Sequence, residues 1–192
     1  LRGRGGATAK HIQQHFVRRC YGNLGSILAE LEAEERVIQV EVRDGRKSWP
    51  QSWYIHSEDV HLLDSLESDG WKPRTTLLSP FDNLISDRKR TEQLFGFQFR
   101  FEVYVPKSKR EYGCYVMPIL HRERLIGRVD PVMNREAGRL TIKAVYAEPK
   151  APKTAETGHM IADAIEDLGM FLGAKEIYYK SKVPTFWKRY MH

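Results

Sequence analysis

The chain has 192 residues, of which 41% are hydrophobic and 29% charged, and a formal net charge of +6. That size suits one large domain or two small ones with a core of their own. No run of about 18 apolar residues could span a membrane and no signal peptide opens the sequence, so a cytoplasmic protein without a membrane partner is expected.

The charge is not evenly spread. Residues 98–146 carry 10 Lys and Arg against 5 Asp and Glu, which accounts for nearly all of the excess. Two explanations fit such a segment: a solvated sheet face, or a surface for an anionic partner, of which nucleic acid is the commonest.

In chain order, "LRGRGG" reads as a Gly-rich, basic, disordered lead-in or a cut end. "ATAKHIQQHF" reads as a helix capped by Thr8, with Ile12 and Phe16 turned inward and His11 and His15 as a surface pair. "GNLGSILAELEAEERV" gives a second helix with Ile27, Leu28 and Leu31 facing in and Glu30, Glu32, Glu34 and Glu35 facing out. "VIQVEVRDGRKSWPQSWYI" is two strands turning through Asp44-Gly45. Helix, turn, helix and basic-tipped hairpin is the order of a winged helix, with Arg43, Arg46 and Lys47 on the wing. "SEDVHLLDSLESDGW" is a helix capped by Ser57 and stopped by Gly70, and "KPRTTLL" an extended connector.

"SPFDNLISDRKRTEQLFGF" begins with Ser79 as an N-cap, Pro80 as first helical residue and Phe81, Leu84 and Ile85 on the buried side. Asp87 caps a second turn over Arg88–Phe95, closed by Gly96. Arg88 and Arg90 project about 200° apart on a helix. Arg88 precedes Glu92 by four residues and is expected to anchor the turn, leaving Arg90 as the freer cation. From Gln98 the period becomes two. "QFRFEVYV", "CYVMPIL", "RLIGRVD" and "GRLTIKAVYAE" read as a four-stranded antiparallel meander showing Arg100, Arg124, Arg128, Arg139 and Lys143 on its polar face. Lys107, Lys109 and Arg110 sit at its first tip beside Tyr104, Tyr112 and Tyr115, a mixture that suits phosphate and base contacts as well as ordinary strand packing. "AETGHMIADAIEDLGMFLGA" is a helix with Ile161, Ile165, Leu168 and Leu172 inward and an acidic outer face, and "EIYY" adds a strand.

No P-loop, GxGxxG, HExxH or CxxC occurs. Cys20 and Cys114 read as reduced core thiols, and no cofactor or metal is expected. By residues alone the chain is a basic winged-helix and β-sheet protein that binds nucleic acid.

The block "LLSPFDNLISDRKRTEQLFGFQFRFEVYVPKSKREYGCYVMPILHRERLIGRVD" resembles the most distinctive block of the YcaQ/AlkZ family of winged-helix DNA glycosylases, whose rigidly spaced pattern it matches nearly throughout over some fifty positions. The resemblance implies tandem winged helices, a barrel-like sheet, and excision of alkylated purines, including those in interstrand crosslinks. The family's catalytic Gln-apolar-Gln or Gln-apolar-Asp triplet has no counterpart in matching context. "IQQ" at Ile12–Gln14 has the wrong pattern, and Gln39 and Glu41 flank Val40 in the wing hairpin. No catalytic residue is assigned, and whether this chain is itself an enzyme stays open. It is expected to be the C-terminal portion of a family member.

The expected fold is therefore α+β: a winged-helix module (1–57), a helical connector (58–97), and an antiparallel β meander, barrel-like, with a C-terminal helix and strand (98–192). The expected partner is double-stranded DNA, bound by a monomer through Arg90, Arg88, Lys107, Lys109, Arg110, Arg128, Arg43 and Lys47. The rival reading is a non-catalytic winged-helix regulator, and a third is a scaffold whose basic face meets only protein.

Overall fold

The computed structural model describes residues 1–15, 21–67 and 71–191. The chain divides into two compact units, Leu1–Lys72 and Pro73–His192, so the stretch read as a connector is shared between them.

In the first unit, a 3-10 turn at Arg2–Arg4 leads into β1 (Gly6–Thr8) and α1 (Ala9–His15). There follow α2 (Leu24–Ala33), β2 (Val37–Val40), the short strands β3 (Arg43–Asp44) and β4 (Lys47–Ser48), β5 (Trp53–His56) and α3 (Val60–Glu67). The strands β1, β5 and β2 form one antiparallel sheet in that order. The expected disordered lead-in is instead ordered, because Gly6 to Thr8 pair with Ile55 to Trp53 and gain ladder hydrogen bonds. Thr8 does cap α1: its hydroxyl accepts from the His11 N–H at 3.3 Å. Asp44-Gly45 turns the hairpin, with Gly45 at φ 58°. The core is small, built on Ala7, Leu28, Val37 and Trp53.

Two inward assignments change here. His11 is 7% exposed and stands edge-on to Trp53 at 5.1 Å, so it is a core ring rather than half of a surface pair. Ile27, expected inside, is 39% exposed. The cap before α3 is the His56 ring, which accepts from the Glu58 N–H at 3.2 Å, while the Ser57 hydroxyl donates to the Arg36 carbonyl. Phe16, Cys20 and Gly70 lie outside the described residues.

The second unit comprises β6 (Thr75–Leu77), α4 (Arg88–Phe95), β7 (Met117–His121), β8 (Arg124–Asn134), β9 (Arg139–Ala147), α5 (Ala155–Leu172), β10 (Glu176–Lys182) and α6 (Thr185–Lys188). Its sheet has the order β10-β9-β8-β7-β6. The strands from β6 to β9 are antiparallel, and β10 joins β9 in parallel after the α5 crossover. Three strands of the expected meander are present. The fourth neighbour is β6, from the segment read as a connector, and residues 98–105 form no strand.

Cores lie on both faces of this sheet. On one, Ile119, Ile126, Leu140 and Ile142 meet Ile161 and Ile165 of α5 and Trp187 of α6. On the other, Leu125 meets Leu78, Ile85, Phe97 and Phe99. Leu125 faces one core and Ile126 and Val129 the other, and the buried stretch of β8 is continuous from Leu125 to Pro131, the pattern of a strand covered on both sides. The acidic residues Glu156, Asp163, Glu166 and Asp167 occupy the exposed side of α5, as its periodicity predicts.

Candidate nucleic-acid interface

The stretch from Ser79 to Gly96 leads into one wall of a cleft, which Arg88, Glu92 and Gly96 line. Ser79–Ser86 is a run of turns rather than a helix. The Asp82 side chain accepts from the Leu84 N–H at 2.8 Å, and its carbonyl takes the Ser86 N–H at 2.9 Å. This closes the turn locally and leaves Phe81, expected inside, 68% exposed. Asp87 caps α4 through the Arg90 N–H at 3.2 Å, and Gly96 ends it in the left-handed conformation at φ 60°.

The two arginines of α4 are placed opposite to expectation. Arg90 is 3% exposed and shares the inner face with Thr91, while Arg88 is exposed. The inner side of α4 carries Thr91, fully buried, and Phe95, which packs on the second core, and Arg90 lies beside them. Arg88 forms no salt bridge with Glu92, which instead accepts from the Gln98 amide at 2.8 Å.

Arg88 lines a cleft of about 690 Å³ together with Arg100, Lys109, Arg128, Phe99 and Tyr112. Glu92, Glu102, Glu111 and Glu148 also border it. Most of these acids are engaged. Arg128 is 5% exposed, its guanidinium lies 4.3 Å from the Phe97 ring centre and 4.2 Å from that of Tyr112, and it donates to the Gln98 carbonyl at 2.6 Å. Its ion pair with Glu148 is 2.8 Å long. Glu102 is 5% exposed and accepts from the N–H groups of Glu111 at 3.1 Å, Tyr112 at 2.9 Å and Gly113 at 3.2 Å. Burial opposes its charge, but those three donors, helped by Arg100, hold its carboxyl below the usual range. The Tyr112 phenol is pushed up, first by its hydrogen bond with Glu111 and then by burial.

This arrangement explains why residues 98–105 make no ladder. The N–H groups of residues 111–113, which a hairpin partner would use, point at the Glu102 carboxylate. The Arg110 guanidinium donates to the carbonyls of Val105 at 2.8 Å and Val103 at 3.3 Å, folding the loop on itself. Behind the loop, Asp130 is 6% exposed with its Oδ1 buried and without a hydrogen bond. Burial pushes its carboxyl up, with Lys143 and Arg110 pulling weakly the other way. Gly113, at φ 153°, passes so close that a Cβ there would lie 2.4 Å from the Asp130 carboxylate, so only glycine fits.

Of the eight cations expected to bind, the structure brings Arg88, Lys109 and Arg128 to one cleft. Lys107 is exposed on the same 3-10 turn as Lys109. Arg90 and Arg128 are buried, and Arg110 is spent on loop carbonyls. Arg43 and Lys47 are exposed on the β3–β4 ribbon of the first unit, where Arg43 pairs with Glu41 at 2.6 Å. Arg100, expected on the polar face of the meander but not among those eight, is exposed in the cleft. Arg88, Arg100 and Lys109 form no salt bridge among the described residues, so their charged ends stay open to solvent beside an aromatic ring, in a cleft that four carboxylates share.

The family model described as DNA glycosylase AlkZ-like matches residues 1–171. No solved structure matches the chain.

Proposed function

The chain belongs to the AlkZ-like DNA glycosylase family, and from that premise we propose that it is the DNA-binding portion of an enzyme that excises alkylated or crosslinked purines by hydrolysing the N-glycosidic bond. The observation that carries the binding role is the cleft of the second unit, where Arg88, Arg100 and Lys109 are exposed and form no salt bridge among the described residues. Each cation that neutralises a phosphate releases condensed counterions, and this drives association. Lys107 extends the same surface. A cationic alkylated purine is already a good leaving group, so polar groups that position water and support an oxocarbenium-like sugar suffice. A damaged base also costs less to unstack, which contributes to selectivity.

The first unit supports the winged-helix reading by its element order: a strand, two helices, then a hairpin closing the sheet. Its ribbon carries Arg43 and Lys47, while Glu30 and Glu34 are exposed on or beside α2. Those acids oppose insertion of α2 into a DNA groove, so contact falls to the ribbon.

The test is a salt titration of duplex binding by the full chain, read by fluorescence anisotropy. Three phosphate contacts give a log–log slope of about −2.7. Binding that ignores salt, or no binding at low salt, overturns the proposal.

A further inference from the structure

We propose that Phe81, Phe101 and Tyr115 form a stacking site for an unpaired nucleobase. The rings of Phe81 and Phe101 meet edge-on at 5.1 Å, those of Phe101 and Tyr115 edge-on at 5.8 Å, and those of Phe81 and Tyr115 at 6.3 Å. Yet Phe81 is 68% exposed and Tyr115 39%. A cluster of rings left in water in this way marks a binding surface more often than chance exposure.

The cluster is rigidly presented. The Ser79 hydroxyl lies 3.2 Å from that of Tyr115 and accepts from the Phe81 N–H at 3.3 Å, and the Asp82 N–H donates to the Ser79 carbonyl at 2.9 Å. Ile85, at the end of the same turns, is fully buried. The backbone therefore holds the Phe81 ring outward while its neighbours anchor the turn. Little conformational freedom is left to lose when a flat partner arrives.

Exposed cations next to the rings in the chain favour a nucleotide as the partner. Arg100, which precedes Phe101, faces the cleft, and Lys107 and Lys109 are exposed just beyond Tyr104, itself 92% exposed. A nucleotide offers both a π face for the rings and a phosphate for the exposed cations that neighbour them in the chain. Stacking on aromatic rings tolerates any base, because every base has a π face. The inference rests on the DNA-binding reading above and adds the place where a displaced base is held.

The experiment uses the full chain and two duplexes, one fully paired and one with a single 2-aminopurine opposite an abasic site. Wild type is expected to bind the unpaired base about tenfold more tightly, with a change in 2-aminopurine emission. Phe81→Ala is expected to lose both effects while keeping its paired-duplex affinity and salt slope, and Phe81→Trp to retain both. Equal affinity for the two duplexes, or a preference untouched by Phe81→Ala, overturns the stacking site and leaves salt-dependent DNA binding standing. Failure to bind either duplex at low salt overturns both readings. Self-association abolished by Phe81→Ala, with DNA binding unchanged, assigns the rings to a second copy of the chain instead.

Discussion

The guanidinium of Arg128 lies 4.2 Å from the centre of the Tyr112 ring, and this contact joins β8 to the loop that rims the cleft. With the Phe97 ring on its other side and Glu148 at 2.8 Å, the arginine is a clamp that holds the loop to the sheet.

Arg128→Ala therefore leaves Glu148 without its partner and empties the space between two rings. A loss of about 3 kcal/mol is expected, read as a lower denaturation midpoint. Arg128→Lys keeps the charge but not the planar stacking, and is expected to recover only part of that loss. Wild-type stability in Arg128→Ala would show that the clamp is idle.

Arg88 and Arg90 should separate cleanly. Arg88→Ala is expected to make the salt slope of duplex binding shallower by about one contact, with its melting temperature nearly unchanged. Arg90→Ala, at a buried position, is expected to cost about 2 kcal/mol of stability and to leave the slope alone. Thermal melts and salt titrations on both variants check this, and the reverse pattern would put Arg90 on the DNA.

The two buried carboxylates respond to pH in opposite directions. Glu102 titrates below its ordinary value, so its stabilising contribution is present above that value and is lost as pH falls through the lowered one. Glu102→Gln is expected to be about 1–3 kcal/mol less stable near neutrality, a deficit that closes in acid. Asp130 titrates above its ordinary value, so the wild type loses stability as pH rises through the raised one. Asp130→Asn escapes that loss and should gain on the wild type over the same rise. Parallel denaturation curves across pH for each variant against wild type measure both signs.

The purified chain is expected not to release alkylated purines from DNA, because its sequence contains no Gln-apolar-Gln or Gln-apolar-Asp triplet. Base release is compared with the spontaneous rate on the same lesion. Release well above that rate would place the chemistry on other residues of this chain.

What the sequence made legible was local. Asp87 and Gly96 bracket α4 because capping is decided within a turn, and Ile161 and Ile165 reveal the inner face of α5 because period alone sets it. The lost strand came from a more distant partner. The alternation from Phe99 to Val105 has the period of a strand, but a carboxylate in its middle captured the backbone that would have paired with it. Phe81 was assigned inward because it is apolar, although its orientation follows from Ser79 and Asp82 tying the turn. For Arg90 the inner face is marked by its neighbour Thr91, fully buried, and by Phe95, which packs on the second core. The cleft cations were recognisable as charge, whereas their freedom from partners depended on where Glu92, Glu102 and Glu148 turned.

Residues 97–116 are fastened to the sheet by side chains and not by a strand ladder. A ladder opens by unzipping from its end, but bonds to one carboxylate open together when that carboxylate lets go. Amide hydrogens of residues 111–113 should thus exchange as a group, at a rate set by Glu102 and independent of the slow amides of β8. The same separation leaves lineages free to lengthen or recharge the rim of the cleft, provided that Glu102, Arg110 and Arg128 are kept. A surface of this kind can change its specificity without reopening the question of how the sheet beneath it folds.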